Sequence, residues 1–359
     1  MNMRKSLVFL SLSLVAIFIF NSCDNEVNIN APWKDVAIVY GVMNASKDTN
    51  SVRIHRAFLG NEGIQGGNQQ PDSIYYRNLQ VRLEEVTSNG TVVNTTILSR
   101  NNNPQPGMDE GFWTTKDFHL YQTSETINPN NFYRIIIDKP DGEGDQVHAI
   151  TPIVGNYNIR VPLANQRLTF GRTGQNFNWE QARNGRMYQA YLRFHYVEIN
   201  RANSSDSALK YVDYLLPTQF GTTLNGSVAE GDFIRNNVAY STFFRFLEAR
   251  IGITEDYNRF SRGMDIYVVC AADDLTTYIN VSQPATGVVQ DKPLFTNINN
   301  GAGIFSSSST VERKGMELST ISLDSLFNGI YTCGLRFGKQ IGIDTCYCFT
   351  PGAGGWICE

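Results

Sequence analysis

Apolar side chains recur at every second position along much of this chain. That period makes strands, rather than helices, its main elements. Residues 51–58 put Val52, Ile54 and Phe58 on one face and Arg53 and His55 on the other. Leu79, Val81 and Leu83 alternate with Gln80, Arg82 and Glu84. Asn89-Gly90 then supplies a hairpin turn, and residues 92–98 return as the next strand. With residues 37–42, 112–119, 132–138 and 147–153, this predicts seven strands before residue 155. Such a series fits an immunoglobulin-like or fibronectin-like β-sandwich over residues 35–155. No Cys-Trp-Cys framework is present, which excludes the antibody type. Asparagine, at 35 of 359 residues, and 30 glycines supply the polar turns that such a fold needs.

Residues 156–165 read as the crossing into a second β-rich domain, 156–332, with one or two helices. Its clearest element is the segment 177–199. There Tyr188, Ala190, Leu192, Phe194 and Tyr196 share one face, and Gln189, Arg193 and His195 the other. Residues 209–216 are a partner strand. Met264, Ile266, Val268 and Cys270 form one face of another strand, which makes Cys270 a buried free thiol. The period turns helical near 232–251, where Tyr240, Phe243, Phe244, Leu247 and Ile251 make an apolar stripe. Shorter helices are predicted at 273–281, capped by Asp273 or Asp274, and at 318–330. Residues 283–309 read as a Pro/Gly/Asn-rich excursion.

The N-terminus gives an address. Arg4 and Lys5 precede an apolar run over 6–20, which is too short for a spanning helix of ~20 residues. Asn21-Ser22-Cys23 follows and resembles a bacterial lipobox, with Phe20 and Asn21 matching the looser form of Bacteroidota. Residues 1–22 are therefore expected to leave as a signal peptide, with Cys23 diacylated and 23–34 forming a tether. The competing reading is an ordinary signal peptide with a chance cysteine. Acyl chains anchor at ~0.8 kcal/mol per buried methylene, so two or more hold the chain stably in a membrane. Asp24 and Glu26 resemble the surface-export signal of Bacteroidota lipoproteins, which favours the cell surface over the periplasmic face; a plain solvated tether is the alternative. The net charge of −4 becomes −6 once Arg4 and Lys5 are removed, which is unlike a nucleic-acid binder.

Cys333, Cys346, Cys348 and Cys358 crowd the tail, 333–359. In an exported protein they are disulfide candidates. A Cys346–Cys348 bond closes a very tight ring, so pairings of each with Cys333 or Cys358 are favoured. A zinc site with all four thiolates as ligands is the alternative, although Cys-x-Cys is less usual there than Cys-x2-Cys.

No G-x-S-x-G, P-loop, G-x-G-x-x-G or helical His pair is present, and no catalytic residue, metal or cofactor is assigned. The four histidines, His55, His119, His148 and His195, stand singly in strand patterns. Asp141, Glu143 and Asp145 alternate with glycines as calcium loops do, but Pro152 stands where the closing acid belongs, so a solvated hairpin turn is preferred. Trp33, Trp113, Trp179 and Trp356 are weighed as sugar-stacking platforms, with Trp179 expected in the core. Asn297, Asn299, Asn300, Gly301 and Gly303 form a candidate ligand loop, since the asparagines carry donors and acceptors and the glycines allow close backbone approach. The bland alternative is a tight turn into a strand over 304–307. Asp-Ser-aliphatic triplets at 72–74, 206–208 and 324–326 resemble O-glycosylation acceptors.

Several short stretches together resemble an uncharacterised family of Bacteroidota outer-membrane lipoproteins with a domain of unknown function and a β-sandwich core. They are Cys23-Asp24-Asn25-Glu26-Val27, Ala37-Ile38-Val39-Tyr40-Gly41, Ala57-Phe58-Leu59-Gly60, Thr296-Asn297-Ile298 with Gly303-Ile304-Phe305, and Cys346-Tyr347-Cys348 with Trp356. The resemblance implies an outer-membrane lipoprotein of the kind thought of beside TonB-dependent transporters, and it implies no reaction. The expectation is a non-enzymatic, lipid-anchored binding or accessory protein whose partner is a transporter, a glycan or a peptide. A structural or adhesion component of the envelope is the second expectation. A hydrolase, with His195 or His148 beside a carboxylate and a hydroxyl in a deep pocket, is the third.

Overall fold

In the computed structural model, residues 35–57, 74–102, 118–139, 145–224, 227–228, 233–283, 295–338, 346–350 and 355–358 are described. The chain divides into two contact units, Met1–Asp35 and Val36–Glu359, and every element below belongs to the second.

The alternating pattern produces a mainly β protein. Its largest sheet has nine strands. In spatial order these are β12 (Ser207–Leu215), β11 (Met187–Asn200), β17 (Tyr257–Ala271), β18 (Gly301–Met316), β1 (Ala37–Met43), β2 (Asn50–Arg56), β6 (Leu120–Thr123) and β5 (Ser99–Asn101), with β13 (Gln219–Phe220) added to β11. A four-stranded sheet is ordered β4 (Val92–Ile97), β3 (Gln80–Val86), β7 (Phe132–Asp138) and β8 (Val147–Pro152). Three smaller sheets are β16 (Phe233–Val238), β10 (Gln175–Glu180) and β9 (Ile159–Val161); β14 (Thr223–Leu224) with β15 (Ser227–Val228); and β19 (Cys346–Thr350) with β20 (Gly355–Cys358). Three helices are described: α1 (Tyr240–Ile251), α2 (Asp273–Ser282) and α3 (Thr320–Asn328).

The hydrophobic residues gather into two main cores. The first is a sandwich. Val39, Val52, Ile54 and Tyr121 from the large sheet meet Val81, Leu83, Ile135 and Val147 from the four-stranded sheet. The second packs Leu192, Phe194, Ile266 and Val268 of the large sheet against Phe243, Phe244 and Leu247 of α1, with Trp179 of β10 and Leu326 of α3. Phe243 stacks on Phe170 with ring centres 4.0 Å apart. The cores change hands between Ile153 and Val154, at the edge of the predicted crossing. One strand nevertheless serves both. β18 runs parallel to β1 from Gly301 to Ser307, and its second half runs antiparallel to β17 as far as Met316. Phe305 therefore belongs to the first core and Met316 to the second. Buried hydrogen bonds fasten the joint: the Ser307 hydroxyl donates to Pro152 O at 2.7 Å and accepts from Val154 N at 3.1 Å.

Several local expectations are corrected. The helical period at 232–251 begins only at Tyr240. Phe233–Val238 is a strand that pairs with β10 over six residues and buries Ile234 and Val238. The segment 177–199 is two strands, broken by a turn in which Asn184 has φ 59°. No side chain caps α2, whose N-cap is Ala272; Asp273 and Asp274 lie in its first turn, where carboxylates favour the helix dipole. The excursion read at 283–309 gives way to β18 at Gly301. Of the strand expected at 112–119, residues 112–117 lie outside the described residues, and the strand found is β6.

Candidate binding face

Strand β11 carries the second core on its even-numbered residues. Tyr188, Ala190, Leu192, Phe194 and Tyr196 are all buried, while Gln189, Tyr191, Arg193 and His195 on the opposite face are half-buried. This follows from the pleat, since successive side chains point to opposite faces. The odd-numbered residues meet matching positions on both neighbours. Tyr191 stands between Leu215 and Tyr267, Arg193 between Asp213 and Asp265, and His195 opposite Tyr211. Directly opposed side chains are ~4.5–5.5 Å apart at Cβ, so the register itself assembles the contacts. A slip of one residue would send all of them to the core.

The contacts form a lattice of rings and ion pairs. Tyr191 and Tyr267 stack, with centroids 4.7 Å apart and planes 11° from parallel. Arg193 grips Asp213 through two bonds of 2.7 and 2.8 Å, and its guanidinium lies 4.1 Å from the centre of the Tyr211 ring. The hydrogen bond to Asp213 raises the pKa of Arg193, which stays charged. His195 Nε2 lies 2.9 Å from Asp265 Oδ2, Tyr267 donates to the same oxygen at 3.3 Å, and Gly315 N–H donates to Oδ1 at 2.8 Å. Burial alone would raise the Asp265 carboxyl, but Gly315, His195 and Tyr267 together hold it below the ordinary carboxylate range. Lys314 pairs with Glu312 at 2.8 Å beside them. Gln189 is held by donating to Leu216 O at 2.7 Å and accepting from the Thr218 hydroxyl at 2.7 Å. The face is aromatic and rich in polar groups, and Arg193 and Lys314 are each paired with a carboxylate.

Beneath one end of this face lies a buried ion cluster. Arg259 donates to Glu198 at 2.8 Å and to the carbonyls of Gly252 and Leu335 at 2.9 Å each, while Lys210 reaches the other Glu198 oxygen. Both Glu198 and Arg259 are under a tenth exposed. Burial works to raise Glu198, and the bonds from Lys210 and Arg259 outweigh it, so its pKa is lowered.

The residues singled out in the sequence fall elsewhere. Asn297 donates to Asp274 Oδ2 and Phe305 O, each at 2.8 Å, and accepts from Phe305 N at 3.0 Å. Asn299 exchanges backbone bonds with His148, and Asn300 donates to Gln146 O at 3.0 Å. A Cβ on Gly303 would stand 2.1 Å from Val39 O, and one on Gly301 2.8 Å from Ala37 O. The loop's polar groups and glycines thus join β8, β1 and β18 to one another. His119 is buried between Tyr75 and Tyr121, and burial lowers the pKa of His55 on β2. Cys270 is a buried free thiol, and burial pushes its pKa up to about 12. Trp179 is in the core. Trp33, Trp113, Asp141 and Glu143 lie outside the described residues, as do the side chains of Cys346, Cys348, Trp356 and Cys358. Cys333 opens a 3-10 turn, Cys333–Leu335. Ser207 is exposed at the start of β12, and the Ser325 hydroxyl donates to Ile321 O within α3.

An open cleft of about 430 Å³ lies between residues 170–172, the first turn of α1 and α3, and no histidine lines it. Among the described residues no group of three or more His, Cys, Asp or Glu side chains is placed to hold a metal. His195 does meet a carboxylate, Asp265, which also accepts from the Tyr267 hydroxyl, and both lie on the outer face of the sheet. Sequence reasoning placed Arg193 and His195 on the outward face. It missed Tyr267, Asp265 and Asp213, whose role depends on strand register.

No family model matches the chain, and no curated protein matches it. Among solved structures, it is similar to trypsin-activated alpha-2-macroglobulin from Escherichia coli, at 12% identity and a TM-score of 0.19, covering 67% of this chain and 14% of that one. It is similar to the BSP domain of a biofilm associated protein, at 9% identity and 0.17, covering 79% and 30%. A third similarity is to the C-terminal globular domain of oligosaccharyltransferase from Pyrococcus abyssi, at 13% identity and 0.20, covering 66% and 47%. The chain spans less than half the length of each, and these similarities carry no inference about activity.

Proposed function

We propose that this chain is a non-enzymatic binding protein of the outer membrane, anchored by lipid on Cys23, that presents the outer face of β11 and β17 to a neutral glycan. The observation that carries the reading is the half-exposed Tyr191–Tyr267 stack set among closed ion pairs. Aromatic rings offer large apolar area with a polar tip, which suits the C–H faces and hydroxyls of a sugar. Arg193–Asp213 and Lys314–Glu312 each answer their own charge, and the Asp265 carboxylate is held by His195, Tyr267 and the Gly315 N–H, so the face offers fixed hydrogen-bonding groups and, among the described residues, no unpaired cation for an acidic ligand. An open sheet face also suits an extended polymer better than a small substrate that must be enclosed. The lipobox and the acidic tether support the address, and delivery of the glycan to a neighbouring transporter is the accessory role that follows.

Isothermal titration of the purified chain against a panel of neutral and acidic oligosaccharides tests the ligand. Binding confined to neutral members is expected; binding of acidic members alone, or of none, sinks the reading. Labelling of cells with an alkyne fatty acid tests the address, and Cys23→Ala is expected to abolish incorporation.

We further propose that the tail is oxidised, as an exported chain allows. Cys346 stands directly opposite Cys358 in the β19–β20 register, a position whose backbone spacing suits a disulfide. That leaves Cys333 and Cys348 as the second pair. Peptide mapping without reductant is expected to return those two links, and a free thiol at any of the four counts against it.

A further inference from the structure

Strand β12 is the outermost strand of the nine-stranded sheet, and among the described residues its far edge is unpaired. Its residues pair with β11 without a bulge, from Tyr191 with Leu215 to Ile199 with Ser207, and among the described residues no strand pairs with the other side. Such an edge is a template for another strand, and proteins ordinarily blunt it with proline, bulges, charges or a covering element. β12 has no proline and no bulge, and its two charged residues, Lys210 and Asp213, are already paired with Glu198 and Arg193. Leu209, Tyr211 and Leu215 are 69, 56 and 63% exposed.

The free backbone groups can be assigned. Leu216 N–H donates to Ala190 O, and Asp206 O accepts from Asn200 N. Even-numbered residues here therefore face β11. By alternation the N–H and C=O groups of residues 207, 209, 211, 213 and 215 point outward. An added antiparallel strand must oppose these groups with outward groups of its own. A second copy of β12, turned about a twofold axis through the sheet, does so with the odd residues opposed. Centring that axis at Val212 sets Leu209 against Leu215 of the second copy, Tyr211 against Asp213, and Lys210 against Tyr214. The first is an apolar pair and the second a hydroxyl facing a carboxylate, while the Lys210 ammonium stays on Glu198 and only its stem lies beside the ring. Centring it at Tyr211 instead would set Leu209 against Asp213.

We infer that β12 is a dimerisation strand whose partner is a second copy of this chain, joined antiparallel about Val212. The two nine-stranded sheets become one, and the two outer faces lie side by side. A closed twofold contact of this kind uses up the open edge on both copies.

The test is sedimentation velocity of the full chain, with its own N-terminus and in detergent, across a micromolar concentration range. The native chain is expected to dimerise. The L209K/L215K variant sets lysine against lysine at two symmetric places, and the dissociation constant should rise at least roughly tenfold, about 1.4 kcal/mol. The L209K/L215E variant sets each lysine against a glutamate of the second copy and should recover the dimer. An unchanged far-UV circular dichroism spectrum in both variants shows that the fold is intact. A native chain that stays monomeric throughout, as it would if the edge takes a strand of another protein, overturns the inference. So does a dimer indifferent to L209K/L215K, and failure of L209K/L215E to recover overturns the Val212 alignment.

Discussion

The two halves of the nine-stranded sheet share one pleat and end in different surroundings. In the first half, β1, β2 and β6 turn their inner side chains onto a second sheet, and the result is a sandwich. In the second half, β11 and β17 turn theirs onto α1, α3 and the small sheet containing β10, while their outer face carries the lattice of rings and ion pairs. Alternation thus specifies that one face is buried, and the chain between the strands decides what buries it. The difference also separates two jobs on a single strand: the even residues of β11 hold the fold, and the odd residues are free to meet something else.

That separation can be broken from the inside first. Phe194 is fully buried among Phe243, Phe337 and Tyr196. Phe194→Ala should cost about 3–5 kcal/mol in urea unfolding, as large-to-small core changes do.

Glu198→Gln comes next, at about 3 kcal/mol, because it leaves Arg259 buried without its counter-charge. Its pH signature is distinct. The Glu198 pKa is lowered in the folded state, so the stabilisation is present above the unfolded glutamate value. It is lost as pH falls through the depressed folded value. The variant should therefore lose less stability than the native chain on acidification below about pH 4. Parallel acid-unfolding curves for the two would contradict the cluster.

On the outer face, Tyr191→Ala removes a stacked ring that is only half-buried, and about 1 kcal/mol is expected in the same assay. The smallest effect is Asp213→Ala. It opens a salt bridge whose side chains are 27 and 30% exposed, and roughly 0.5–1 kcal/mol is expected. The loss should shrink in high salt, where exposed charges are screened.

Much of the fold was legible in the sequence because alternation is a local signal. Residues 132–138 and the even face of β11 emerge as the pattern predicts. Strand β18 was only partly legible: the strand read at 304–307 is a short stretch of an element that runs from Gly301 to Met316. Gly301-Ala302-Gly303 and Ser306 to Ser309 lack the bulk that marks a strand, and the reason is close approach. Gly303 has φ +105° and lies against Val39 of β1, while Ser306 and Ser307 are buried where the two cores meet. The asparagine loop lies beside it: Asn297, Asn299 and Asn300 look available for a ligand in sequence, and each donates to a neighbouring backbone carbonyl, while Asn299 and Asn300 stay exposed. The binding face was half legible. The outward positions of Arg193 and His195 follow from period two, but the meeting of Tyr191 with Tyr267 depends on the register of strands far apart in the chain.

The double variant Tyr191→Ala/Tyr267→Ala tests the division between the two faces most directly, when melting temperature and neutral-oligosaccharide titration are measured on the same preparation. The account predicts that binding is lost while the melting temperature falls by no more than about 5 °C. Binding at native strength, or a collapse of stability comparable to Phe194→Ala, would contradict it.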